Sequence, residues 1–244
     1  MLLIKKILDL KLVKDNIFHF MKDFLISQEI SDDVSYCPLT RFSHNKKNTD
    51  SSPHDALKNV WDLASLKKLM LSLNNPPLQK TATQIVFGEG VLHPSVMVIG
   101  EAPGQDEDVQ GRPFVGQSGK LLEKALNTIG LFRDKNCYIS NIVPYRPMGN
   151  RTPSNDEVSF YLPFLKKHIE CVKPKLLLLV GSVSSKALLD TNEGITTLRG
   201  KILHCMNIQT IATYHPAFLL RSPGQKAKLW KDLLTLSSLI TMVK

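Results

Sequence analysis

The sequence predicts an α/β protein, a three-layer α/β/α sandwich with a central four-stranded parallel sheet and a helical N-terminal extension. Two observations predict it: four short runs rich in Leu, Ile and Val, and helix-length amphipathic segments between them. Strands that are apolar along their whole length need cover on both faces, which a parallel sheet flanked by helices provides. The chain has 244 residues, enough for one such domain and an appendage.

Residues 1–43 carry helix-like spacing, as at Ile17, Phe18, Phe20, Met21, Phe24 and Leu25, whereas 44–53 are polar without an apolar period. Residues 1–52 therefore read as a helical extension with a flexible linker, and 53–244 as the folded domain. A helix over 53–73 sets Ala56, Val60, Leu63, Leu66, Met70 and Leu73 on one face and stops at the Asn-Asn-Pro-Pro run of 74–77. Strands are expected at 96–99, 138–142, 176–180 and 210–214. Helices are expected between them at 119–129, 155–172 and 182–189, with 226–242 after the last. Ligands of such sheets bind beyond the carboxyl ends of the strands. Those ends read GEAPG (100–104), NIVPYRP (141–147), GS (181–182) and YHPA (214–217). Three of them set a polar side chain beside proline or glycine, a rigid frame suited to a preorganised site.

A formal charge of +9 and a pI of about 9.3 favour a polyanionic partner, nucleic acid first. No run of eighteen apolar residues exists, and residues 1–10 interleave charge with apolar side chains and lack a cleavage site, so a cytoplasmic protein without a membrane partner is expected. Cys37, Cys137, Cys171 and Cys205 are dispersed and form no C-x-x-C, which argues against a zinc knuckle or a dense disulfide framework. The string GQSGK (116–120) suggests a phosphate loop, but Phe114 stands where that loop needs Gly and Leu121 where it needs Ser or Thr.

The strings FGEG (87–90), GEAPG (100–104), GRPFVG (111–116), RPMGNR (146–151), LRG (198–200) and YHPAFLLR (214–221) occur in this order. On them the chain resembles the uracil-DNA glycosylase superfamily, specifically its family 4 branch, from about Phe87 to Trp230. The resemblance implies a DNA repair enzyme that flips uracil from the helix and hydrolyses its glycosidic bond, leaving an abasic site. Such a reaction leaves cationic character on the sugar and negative charge on the base. By resemblance Glu101 and Glu107 are the acidic candidates for the sugar side, Glu101 being favoured, and His215 donates to a uracil carbonyl oxygen. Asp106 and Asp108 read instead as caps of a helix start. Phe114 matches the stacking aromatic, Ala102 lies in the loop whose backbone approaches the base, and Asn141 can pair with the imide edge of uracil. Leu219, Leu220 and Arg221 resemble the loop that enters the duplex. Lys226, with Lys228 and Lys231, either tracks phosphates or forms a solvated helix face.

Family 4 members typically hold a four-cysteine iron-sulfur cluster. The matching positions here are Leu73, Pro76, Tyr145 and Tyr161, so no cofactor and no metal is expected. The relative that traps DNA covalently uses a histidine that the NRTP string at 150–153 lacks. The expected partners are uracil-containing DNA, single- or double-stranded, and a repair or replication protein engaging residues 1–52. The alternative is a non-catalytic DNA-binding or accessory protein of the same fold.

Overall fold

Asp62 starts the first α-helix by a reciprocal cap: its carboxylate accepts from the Ser65 N–H (2.7 Å), and its own N–H donates to the Ser65 hydroxyl (3.3 Å). The computed structural model describes residues 55–242. The single helix expected over 53–73 is a 3-10 turn at Asp55–Asn59 followed by α1 (Leu63–Ser72), because Asp62 interrupts it. The expected extension, residues 1–52, lies outside the described residues, as does Cys37.

Six strands form one sheet: β1 (Glu89–Gly90), β2 (Val96–Gly100), β3 (Cys137–Asn141), β4 (Leu176–Val180), β5 (Ile202–Cys205) and β6 (Ile208–Thr213), in the order β1-β3-β2-β4-β6-β5. The four expected strands are its central parallel part. The sheet is nevertheless wider than expected, since β1 and β5 add antiparallel edges. Neither is a continuous apolar run. β1 has two residues, and β5 exposes Ile202 and His204.

Side-chain alternation along the central strands separates two cores. Met97, Ile99, Leu177 and Leu179 pack with α1 and with Tyr161, Phe164 and Ile169 of α4 (Asn155–Val172). Val96, Val98, Leu176, Leu178 and Val180 pack with α3 (Gln117–Thr128) and α8 (Lys226–Met242). All nine strand residues are fully buried, which is the three-layer arrangement. Helices α2 (Gln105–Gln110), α6 (Ile195–Leu198) and α7 (Pro216–Arg221) are short additions, and α5 (Ser182–Leu189) follows β4. Among the described residues no helix is long and apolar enough to cross a membrane.

The parallel register pairs Gly100 with Asn141 and Val180 with Thr213, so the loops after these strands gather at one edge. A buried ion pair secures the end of β6. Asp232 on α8 is 1% exposed and accepts from the Thr213 hydroxyl (2.7 Å) and from Arg199 Nε (3.1 Å), while Arg199 Nη2 donates to the same carboxylate and to the Lys228 carbonyl. Burial raises the Asp232 pKa, with Thr213 and Arg199 opposing. Removing the cation leaves a buried carboxylate unpaired, so Arg199→Met is expected to destabilise the fold by about 3 kcal/mol at pH 8. The loss should shrink as lower pH protonates Asp232. Urea unfolding measures both, and a change below about 0.5 kcal/mol, the range of an ordinary surface substitution, would refute a supporting role for the pair.

Candidate active site

The turns beyond β2, β3 and β6 enclose a cavity of about 440 Å³. Glu101, Ala102, Glu107, Phe114, Asn141 and His215 all line it, so side chains from four separate strings of the sequence meet at one place. That volume lies in the range of about 300–1,000 Å³ usual for small-ligand sites.

Asn141, the last residue of β3, is 4% exposed, and its Oδ1 is buried with no hydrogen-bond partner. A buried acceptor left unpaired costs about 1–3 kcal/mol, which a ligand N–H would recover. Gly100 makes room for this amide: a Cβ there would sit 2.5 Å from Asn141 Oδ1 and 2.4 Å from Phe114 Cζ. Phe114 is 5% exposed, with its ring centroid 5.9 Å from that of His215 and the planes tilted by 35°.

The two glutamates differ in their commitments. Glu107 Oε1 accepts from the N–H groups of Val115 and Gly116 (2.8 Å each), and Oε2 from the Gly104 N–H (3.1 Å). It therefore holds the backbone that carries Phe114, although it also borders the cavity. Glu101 has the Thr152 side chain beside it; burial raises its pKa and Thr152 opposes. Asp108 is 3% exposed and accepts from the N–H and hydroxyl of Thr83 (2.9 and 2.8 Å), while Asp106 is exposed in the first turn of α2.

His215 caps α7, accepting the Ala217 N–H at Nδ1 (3.2 Å). Nδ1 is thus the acceptor nitrogen and Nε2 carries the proton. Burial, reinforced by the Arg221 charge and weakly opposed by Glu107, pushes its pKa down to about 4. The ring is neutral near pH 7, with Nε2–H as the donor it can offer.

The candidate DNA-contacting residues are not placed alike. Arg221 is exposed at the cavity rim. Leu219 is fully buried in the α3/α8 core, and Leu220 is partly buried against it. Of the segment that resembles the loop entering the duplex, α7 turns Leu219 into the core and Phe218 toward the cavity. Lys226 is 8% exposed at the start of α8, so it does not form part of a solvated helix face, and burial lowers its pKa. Lys228 and Lys231 are exposed. The lining residues that the sequence reading does not single out include Phe218, Thr152 and Arg151. Arg151 pairs twice with Glu157 (2.6 and 2.8 Å), itself part of the cap of α4. The RPMGNR string was the available signal for it.

The positions that would hold an iron-sulfur cluster do not suit one. Tyr161 is 1% exposed and donates its hydroxyl to the Pro77 carbonyl (2.5 Å), with the Tyr145 ring 6.1 Å away. Pro76 is buried, Leu73 packs on the same core, and burial raises the pKa of both phenols. Two of the four side chains carry no donor atom and none is a thiol. Among the described residues, no three His, Cys, Asp or Glu are placed to hold a metal ion.

The family model described as the uracil DNA glycosylase superfamily matches residues 87–234. The type-4 uracil-DNA glycosylase of Pyrobaculum aerophilum is 38% identical over 180 residues, covering 70% of this chain and 91% of that protein. That of Sulfurisphaera tokodaii is 36% identical over 179 residues, covering 70% and 81%, and that of Saccharolobus solfataricus 38% over 164 residues, covering 64% and 76%. A match across more than half of the sequence, centred on the strings that build the cavity, means that the chain belongs to the uracil DNA glycosylase superfamily.

Proposed function

We propose that this protein is a monofunctional DNA repair glycosylase that releases uracil from single- or double-stranded DNA by hydrolysis, with no iron-sulfur cluster. The observation that carries the reading is the convergence of Glu101, Phe114, Asn141 and His215 on one cavity, where the Asn141 Oδ1 is buried and unpaired.

A duplex base cannot reach this cavity in the stack, so the nucleotide is extruded into it. The base stacks on Phe114, a contribution of about 1–3 kcal/mol that any base shares. Asn141 supplies the discrimination. Its Oδ1 accepts the imide N–H of uracil and its amide donates to the adjacent carbonyl, whereas cytosine presents the reverse pattern and leaves the amide unpaired. As the bond between C1′ and the base breaks, its electron pair leaves with the base. His215 Nε2–H donates to the carbonyl oxygen where negative charge collects. The Glu101 carboxylate faces the cationic sugar and orients water, whose oxygen bonds to C1′; the proton that water releases passes to Glu101 and then to solvent or base. Arg221 and the exposed Lys228 and Lys231 supply positive charge for phosphates.

Uracil-containing oligonucleotides followed by alkaline cleavage test the activity. Wild-type protein should produce abasic sites, and His215→Ala should lower kcat by about 10²–10³-fold, the usual cost of one oxyanion donor. Asn141→Ala should lower kcat/KM for uracil by at least about 10-fold. Tight DNA binding without abasic sites would instead establish the non-catalytic alternative.

The pH profile separates the two ionisable groups. Because the Glu101 pKa is raised and its charged form is needed, kcat/KM should rise with pH through an ionisation above 4.5 and then level off. His215, depressed from 6.5 to about 4, stays neutral throughout the plateau and should add no step near 6.5. A step near 6.5 that disappears in His215→Gln would contradict this assignment.

Metal analysis tests the cofactor statement. Purified protein should contain no stoichiometric iron or acid-labile sulfide, and it should refold to full activity from urea in the presence of a chelator. Stoichiometric iron would overturn it.

A further inference from the structure

The FGEG string and Arg133 do not line the cavity, yet they meet directly behind it. Phe114 has φ +54°, a left-handed conformation that a residue with a side chain holds only when its surroundings enforce it. Two charged groups enforce it from opposite sides. Glu107 binds the N–H groups of Val115 and Gly116, and the Arg133 guanidinium donates to the carbonyls of Pro113 (2.7 Å) and Phe114 (3.0 Å). The Arg133 side chain is only 10% exposed and pairs with Glu89 at 2.9 Å. Glu89 also receives Arg112 through two bonds of 3.0 and 2.7 Å, so one carboxylate joins the arginine of GRPFVG to the one behind Phe114. The backbone of FGEG serves the same end: Gly90, at φ +142°, lies so close to β3 that a Cβ would fall 2.3 Å from the Cys137 carbonyl oxygen. That close approach is what presents Glu89 to both arginines.

We propose that Arg133, held by Glu89, is a positioning residue that fixes Phe114 as the surface on which the extruded base stacks. The proposal rests on the uracil-release reading. Arg133 acts through the Phe114 backbone and touches no substrate atom. A guanidinium suits the task because its planar fork reaches two carbonyls and a carboxylate together, which the single ammonium of lysine does not match.

If Arg133 works through Phe114, its removal matters only while the ring is present. A double-mutant cycle measures this with kcat/KM on a uracil oligonucleotide for wild type, Arg133→Gln, Phe114→Ala and the double variant. Arg133→Gln should lower kcat/KM about 10-fold in the wild-type background, the order of the stacking contribution that a misplaced ring forfeits. In the Phe114→Ala background its effect should fall below about 3-fold. Equal losses in both backgrounds, or an unchanged Arg133→Gln enzyme, would overturn the proposal. A thermal melt accompanies each protein, and if Arg133→Gln shows no cooperative transition the cycle is run with Glu89→Gln under the same criteria. A wild-type protein that releases no uracil overturns the parent reading, and this one with it, and is recognised by the reference reaction alone.

Discussion

The cavity depends on the absence of a side chain at residue 100. Gly100 closes β2 in register with Asn141 at the end of β3, and a Cβ there would overlap both the Phe114 ring and the Asn141 amide. Strand backbone, aromatic ring and amide are therefore packed to contact. Parallel hydrogen bonding fixes the relative height of the two strand ends and so places the Asn141 amide, while the loop that Glu107 and Arg133 hold brings the Phe114 ring against Gly100. Groups held this way need no reorganisation when charge develops, which is the condition under which their dipoles act most strongly.

The acids after β2 divide their work by which backbone they can reach. Glu107 holds three amides, two of them beyond the turn that carries Phe114, and Asp108 holds the incoming segment at Thr83. Both are buried, and a buried carboxylate is tolerated when amide and hydroxyl donors surround it. Glu101, with the Thr152 side chain beside it, lines the same cavity. One loop thus supplies internal struts and a charge facing the ligand, which explains why so many acids sit in a chain of net charge +9 at the place where DNA would approach.

Much of this fold was legible because its central strands are apolar throughout and helix-length segments with apolar spacing lie between them. The helices at Asn155–Val172, Ser182–Leu189 and Lys226–Met242 have the boundaries that the sequence predicts. The edge strands were not legible, since a two-residue strand has no period and β5 exposes its alternate residues. At the site, the residue types in the strings named the participants, but their orientation came from elements too short to recognise. Without α7 the phase of PAFLLR is undefined, so nothing distinguished buried Leu219 from cavity-facing Phe218. Likewise, acids in sequence at 106–108 announce a helix start, but the amides that Glu107 binds at 115 and 116 arrive only when the chain returns.

The segment before β2 is tied to the rest of the fold at several separate points. Tyr161 binds the Pro77 carbonyl, the Val86 N–H donates to the Pro144 carbonyl (2.8 Å), and the Ser140 hydroxyl donates to the Phe87 carbonyl (2.9 Å). These ties join residues 77–87 to α4, to β3 and to the segment after β3 at separate points, with the Tyr145 and Tyr161 rings packed beside one another. Distributed hydrogen bonds and buried aromatic area each contribute modestly, and together they anchor the segment. The anchored segment then leads straight into Gly88 and Glu89, and from Glu89 the contacts run through Arg133 to the carbonyl of Phe114. Packing around Tyr145 and Tyr161 is therefore mechanically continuous with the Phe114 side of the cavity, so it bears on the shape of the site.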